Sequence, residues 1–87
     1  MTNPIVIKMV SAKNCDRCAE VKQRIASASE ETGVVVSVRD YDSSTHEAID
    51  LGIKYGLDDV PSFVVGDKTF CGTDWNYEDL KKAFRRA

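Results

Sequence analysis

Two cysteines separated by two residues, in the segment Cys15-Asp16-Arg17-Cys18, are the part of this sequence most suited to chemistry. On a helix the spacing brings both thiols within one turn, close enough for a disulfide that can form and break by thiol exchange. The same spacing supplies half of a structural zinc site. The other half would have to come from His46 and Cys71, which occur singly and not as a second pair, so the pattern disfavours zinc. A cluster of iron and sulfur bridging two copies is further from the pattern still. No residue set is assigned to a metal.

Exchange needs a thiolate, and an unperturbed cysteine with a pKa near ~8.5 is mostly protonated at neutral pH. Cys15 stands where a helix should begin, so free amides and the positive end of the helix dipole would favour a negative sulfur. Lys13 and Arg17 add to that effect and Asp16 opposes it. Cys18, one turn on, should point further inward. The two thiols then take different roles, with Cys15 attacking a substrate disulfide and Cys18 resolving the mixed disulfide.

The elements that must hold this pair can be read from periodicity and punctuation. Ile5 to Val10 is an apolar, β-branched run interrupted by Lys8, which reads as a strand buried on most of its surface. Val21, Ile25 and Ala28 place an apolar stripe on a helix from about Asp16 to Glu31, stopped at Thr32-Gly33. Val34 to Val38 reads as a second strand. Ser44-Thr45-His46-Glu47 has the spacing of a capping box, in which Ser44 and Glu47 satisfy the first amides of a helix ending at Gly56. Ser62 to Val65 and Lys68 to Cys71 form an antiparallel hairpin around Gly66-Asp67. Asn76, with Asp79 three residues later, caps a final helix whose apolar side is Tyr77, Leu80, Ala83 and Phe84. The order βαβαββα makes the first two strands parallel neighbours and lets the hairpin extend the sheet, giving a four-stranded mixed sheet of order 2-1-3-4 with helices on both faces.

Eighty-seven residues, 43% of them hydrophobic, suffice for one core and not two, so residues 1–87 are expected to form a single domain. Twelve basic and 14 acidic side chains leave a net charge of -2 with no long block of one sign, which argues against a nucleic-acid partner. The basic group Lys81, Lys82, Arg85 and Arg86 reads as a solvated helix end, where cations complement the dipole. No stretch approaches a membrane span and the N-terminus has no signal-peptide pattern, so the expected location is cytoplasmic, without a membrane partner. Three cysteines in that compartment point to catalysis or metal binding more than to a structural framework.

With Cys15 and Cys18 between a first strand and a helix, and Val60-Pro61 ahead of the third strand, the chain resembles the thioredoxin superfamily over nearly its whole length, at the size of a glutaredoxin. The segment from Ala48 through Val60-Pro61 to Val65 is similar to the stretch that leads thioredoxins into their cis-proline strand. The resemblance implies a cis bond between Val60 and Pro61, with the Val60 backbone available to an extended substrate. Within Cys71-Gly72-Thr73-Asp74-Trp75, Gly72 and Asp74 match the glutathione-holding element of glutaredoxins, and Cys71 and Trp75 do not. The residues between the cysteines match neither subfamily, Asn14 replaces a tryptophan, and Ala12 stands where glutaredoxins carry a lysine, with Lys13 one position later.

The resulting expectation is a thiol-disulfide oxidoreductase, a glutaredoxin- or thioredoxin-like disulfide reductase and electron carrier, with catalytic Cys15 and Cys18. Lys13, Arg17, Val60, Pro61, Thr73 and Asp74 are expected to contact substrate. The implied partners are disulfide-containing proteins, with glutathione or a protein disulfide reductase as electron donor; no cofactor is bound, glutathione is a candidate co-substrate, and the chain is expected to be a monomer. The competing reading is a non-catalytic binding module of the same fold, or a zinc or iron-sulfur protein. Cys71 reads as a small buried apolar residue, or as a third thiol beside the site. Trp75 and Tyr77 read as cover for the core, with an apolar wall beside the substrate as the alternative. Asp58 and Asp59 read as turn residues, with Asp59 also placed to repel anionic glutathione. His46 receives no catalytic role.

Overall fold

Side-chain alternation along the first strand sets the layout of the molecule. The computed structural model describes residues 4–87; the reading of the N-terminus for a targeting segment rests partly on residues 1–3, outside the described residues. In chain order the elements are β1 (Ile5–Ser11), α1 (Asp16–Thr32), β2 (Val36–Asp42), α2 (His46–Tyr55), β3 (Ser62–Val65), β4 (Lys68–Cys71) and α3 (Tyr77–Arg86). β1 lies inside the sheet, parallel to β2 with Ile5 opposite Val36 and antiparallel to β3 with Met9 opposite Phe63. β4 pairs antiparallel with β3, which gives the order β2-β1-β3-β4 expected from the sequence.

Successive residues of a strand face opposite sides, so β1 sends Ile7 and Met9 to one layer and Val10 to the other. Ile7, Met9, Phe63, Val65 and Phe70 form the main core with Cys18, Val21, Ile25 and Ala28 of α1 and Leu80 and Phe84 of α3. Val10 joins Ala48 and Leu51 of α2 in a smaller core flanked by Tyr41, Tyr55, Leu57 and Val60. Helices thus cover both faces, two on one side and one on the other. The Tyr77 hydroxyl donates to the Glu31 carboxylate and ties the start of α3 to the end of α1. That carboxylate holds the phenol protonated and pushes its pKa up to about 12. Among the described residues no helix is long and apolar enough to cross a membrane.

Two local expectations change. The second strand is Val36–Asp42 instead of Val34 to Val38. Gly33 closes α1 in the left-handed region at φ 72°, and Val34 is then held in the turn, its carbonyl accepting from the Ser29 hydroxyl and its amide donating to Thr32 Oγ1. Pairing with β1 runs on through Ser11 and Asp42, carrying Arg39 and Asp40 into an edge strand, where exposed charge is tolerated and discourages pairing with other chains. The second helix is capped by Thr45, whose hydroxyl accepts from the Ala48 amide, and not by Ser44. Ser44 is already engaged, since both its amide and its hydroxyl donate to Asp42 Oδ1. Those bonds, the side-chain one foremost, hold the Asp42 carboxyl below its ordinary range.

Phe63 is fully buried and its ring stacks on Phe70 at 4.8 Å between centroids. Replacing it with alanine removes the centre of the main core, so Phe63→Ala is expected to destabilise the protein by about 3–5 kcal/mol in urea unfolding. A loss under ~1 kcal/mol would mean that the core does not pack around this ring.

Candidate functional site

β1 delivers the chain directly to the start of α1. Ser11 ends the strand, and the connection turns at Asn14, which has φ 55°. Asparagine tolerates this left-handed region better than bulky residues do, so a tryptophan here would be strained. Cys15 is the N-cap of α1, with extended φ and ψ of -107° and 104°. Its sulfur accepts the Cys18 amide at 3.1 Å, the role oxygen side chains usually play at a helix start. Cys15 is half-buried, whereas Cys18 is 4% exposed and belongs to the main core. The two cysteines are joined in a disulfide, with Cα atoms 5.2 Å apart. Exposure and capping therefore set the two sulfurs apart.

Two further loops lie at the same end of the sheet. The first is Leu57 to Pro61, which leads into β3. Its Val60–Pro61 peptide is cis, Pro61 is buried, and Val60 is half-buried. The second follows β4 and begins at Gly72, whose amide donates to the Pro61 carbonyl at 2.7 Å. Trp75 secures this loop. Its indole N–H donates to the Gly72 carbonyl at 2.8 Å while its ring packs edge-on against Phe63 and Phe70. Arg24 of α1 adds a third tie, donating to the Thr73 carbonyl at 3.1 Å with its guanidinium over the Trp75 ring.

The side chain of Arg17 links the cysteine segment to the proline loop through an ion pair with Asp59, Nη2 to Oδ2 at 3.6 Å. Asp59 Oδ1 accepts the Val60 amide at 2.8 Å. The pair lies over Gly72, where an added Cβ would meet Asp59 Oδ2 at 2.8 Å and Arg17 Nη2 at 3.1 Å. Gly72 also has φ 68°.

The structure therefore gathers Cys15, Cys18, Arg17, Val60, Pro61 and Gly72, and treats the other expected site residues differently. Lys13 is exposed and lies close enough to Asp42 to contribute, as a minor cause, to that carboxyl's lowered pKa. Thr73 is half-buried with its carbonyl taken by Arg24, and Asp74 is exposed. Cys71 is a free thiol of intermediate burial at the end of β4, short of the buried small residue that is the first of its two expected readings. Neither it nor His46 joins the cysteine pair: among the described residues no three His, Cys, Asp or Glu side chains cluster in a way that could hold a metal. Trp75 covers the core, the first of its two expected readings. The ties made by Arg24 and Asp59 were not anticipated. Arg17 and Arg24 are seven residues apart, two turns of α1, so their shared face was visible in the sequence, whereas their partners across the fold were not.

No protein-family model matches the chain, and no curated protein does. Solved structures do. A thioredoxin-like protein from Clostridium perfringens superposes with a TM-score of 0.70 at 20% identity, over 99% of this chain and 72% of that one. Mitochondrial thioredoxin 3 from Saccharomyces cerevisiae gives 0.64 at 18% identity, over 99% and 81%. Thioredoxin 1 from Thermosipho africanus gives 0.62 at 13% identity, over 94% and 92%. The chain has the thioredoxin fold, with a Cys-x-x-Cys pair at disulfide distance.

Gly72 gives a direct check of the loop arrangement. Gly72→Ala places a Cβ in a left-handed conformation and against the Arg17–Asp59 pair, and is expected to cost about 1–2 kcal/mol in urea unfolding. A neutral substitution would show that neither constraint operates.

Proposed function

We propose that this chain is a thiol-disulfide oxidoreductase that reduces protein disulfides or glutathione mixed disulfides, with Cys15 as nucleophile and Cys18 as resolving thiol. The observation that carries the reading is the asymmetry of the pair. Cys15 is half-buried and caps α1 with a sulfur that accepts an amide, while Cys18 lies in the core. A helix start stabilises negative charge, so the less buried cysteine is also the one whose thiolate is favoured.

In the reduced protein the Cys15 thiolate attacks one sulfur of a substrate disulfide. A bond forms from Cys15 to that sulfur, and the other substrate sulfur leaves as a thiolate. Cys18, deprotonated as it reacts, then attacks Cys15 Sγ, closing the Cys15–Cys18 disulfide and releasing the second substrate thiolate. Two electrons have passed to the substrate. The protein returns to the dithiol by the same exchange run against two glutathione thiols or the dithiol of a protein disulfide reductase. Pro61 and the Val60 backbone position the substrate beside the pair, with Arg17 at the edge. We place the protein in the cytoplasm, acting as a monomer with no bound cofactor.

Single replacements separate this function from a binding role. Cys15→Ser is expected to reduce disulfide exchange to the rate without protein. Cys18→Ser is expected to accumulate a mixed disulfide at Cys15, visible as a mass increase by intact-protein mass spectrometry and reversed by a thiol reductant. Exchange undiminished in Cys15→Ser would remove the proposed nucleophile.

A further inference from the structure

Two of the donors expected to meet substrate beside Cys15 are already in use within the protein. The Val60 N–H donates to Asp59 Oδ1 at 2.8 Å, and the Arg17 guanidinium lies 3.6 Å from Asp59 Oδ2. One carboxylate thus spans the proline loop and the cysteine segment, holding an amide that would serve a substrate carbonyl and a cation that would serve a substrate carboxylate. The space it occupies exists because position 72 has no side chain, since a Cβ there would come within 2.8 Å of the same oxygen.

We propose that Asp59 is a built-in competitor for substrate, one that selects neutral or basic peptide disulfides over disulfides carrying carboxylates next to the reacting sulfur. The proposal rests on the oxidoreductase reading and adds to it the class of substrate the site accepts. Its physical basis is the difference between two displacements. A neutral peptide that pairs with the Val60 amide displaces only Oδ1, and Asp59 keeps its attraction to Arg17. An anionic substrate that takes Arg17 displaces Oδ2 as well and leaves the Asp59 carboxylate beside another carboxylate. That like-charge arrangement opposes binding.

The contact is loose enough to open. Arg17 and Asp59 are 52% and 49% exposed, and ion pairs of this kind contribute little to stability, about 0–1 kcal/mol. Asp59 therefore acts through what it occupies. Simple repulsion of anions by a free surface charge would work equally well without Arg17, and this difference separates the two accounts.

The test compares kcat/KM for one peptide carrying either a glutathione mixed disulfide or the mixed disulfide of glutathione diethyl ester, which lacks the carboxylates. In the intact protein the ester form is the better substrate. Asp59→Asn keeps an oxygen for the Val60 amide but frees Arg17, and is expected to shift the ratio toward the free acid by about three- to tenfold. In an Arg17→Gln background the same Asp59→Asn change is expected to shift it less than twofold. An equal shift in both backgrounds, or none in either, overturns the proposal while leaving the cysteine chemistry intact. Failure of the unmodified protein to exchange either disulfide overturns the oxidoreductase reading and the proposal with it. A readout independent of turnover is the Val60 amide, which should exchange with solvent several-fold faster in Asp59→Ala than in the unmodified protein after correction for intrinsic rates. Equal rates would show that the carboxylate does not hold that amide.

Discussion

The amides that open α1 need an acceptor, and the Cys15 sulfur supplies one. An α-helix leaves its first four N–H groups without intrahelical partners, and here the cap is a residue that can also carry negative charge and exchange electrons. This contact fixes the Cys15 sulfur at the start of α1. The rest of the molecule keeps it fixed, with Val21, Ile25 and Ala28 anchoring the helix in the main core and Cys18 buried among them.

Topology then brings two other loops to the same place. β1 ends at Ser11 beside the start of α1, β3 begins at Ser62 antiparallel to it, and β4 ends at Cys71 opposite Ser62. The connections after β1, before β3 and after β4 therefore meet at one end of the sheet, the usual position for sites in open sheets of this kind. Short contacts join them: the Gly72 amide to the Pro61 carbonyl, the Trp75 indole to the Gly72 carbonyl, and Arg17 to Asp59. Trp75 packs edge-on against Phe63 and Phe70 at this end of the sheet, and an exposed ion pair lies at its rim.

Much of the fold was legible in the sequence because its main determinants are local. The apolar run Ile5 to Val10, the stripe Val21, Ile25 and Ala28, and the cap at Asn76 are each short-range patterns with one dominant reading. Misreadings arose where several residues compete for one role. Val34 and Val35 suit a strand as well as Val36 does, but the turn out of Gly33 uses Val34 and delays pairing until Ile5 meets Val36. Ser44 and Thr45 can both cap a helix, and the bond from Ser44 to Asp42 decides between them. In the candidate site, the placement of Cys15 at the helix start and of Cys18 further inward followed from spacing and helix position. The Asp59 bridge did not, because its partner Arg17 lies on another element and their meeting depends on the bare backbone at Gly72.

The account stands on Cys15 and Cys18 cycling between dithiol and disulfide. The most direct measurement equilibrates the protein across a series of glutathione redox buffers, traps free thiols by alkylation and maps each product by mass spectrometry. A single two-electron transition that links Cys15 to Cys18 and leaves Cys71 out of that bond is the predicted result. If Cys15 and Cys18 both remain alkylatable across the whole series, the pair is not a redox centre and the proposed mechanism fails.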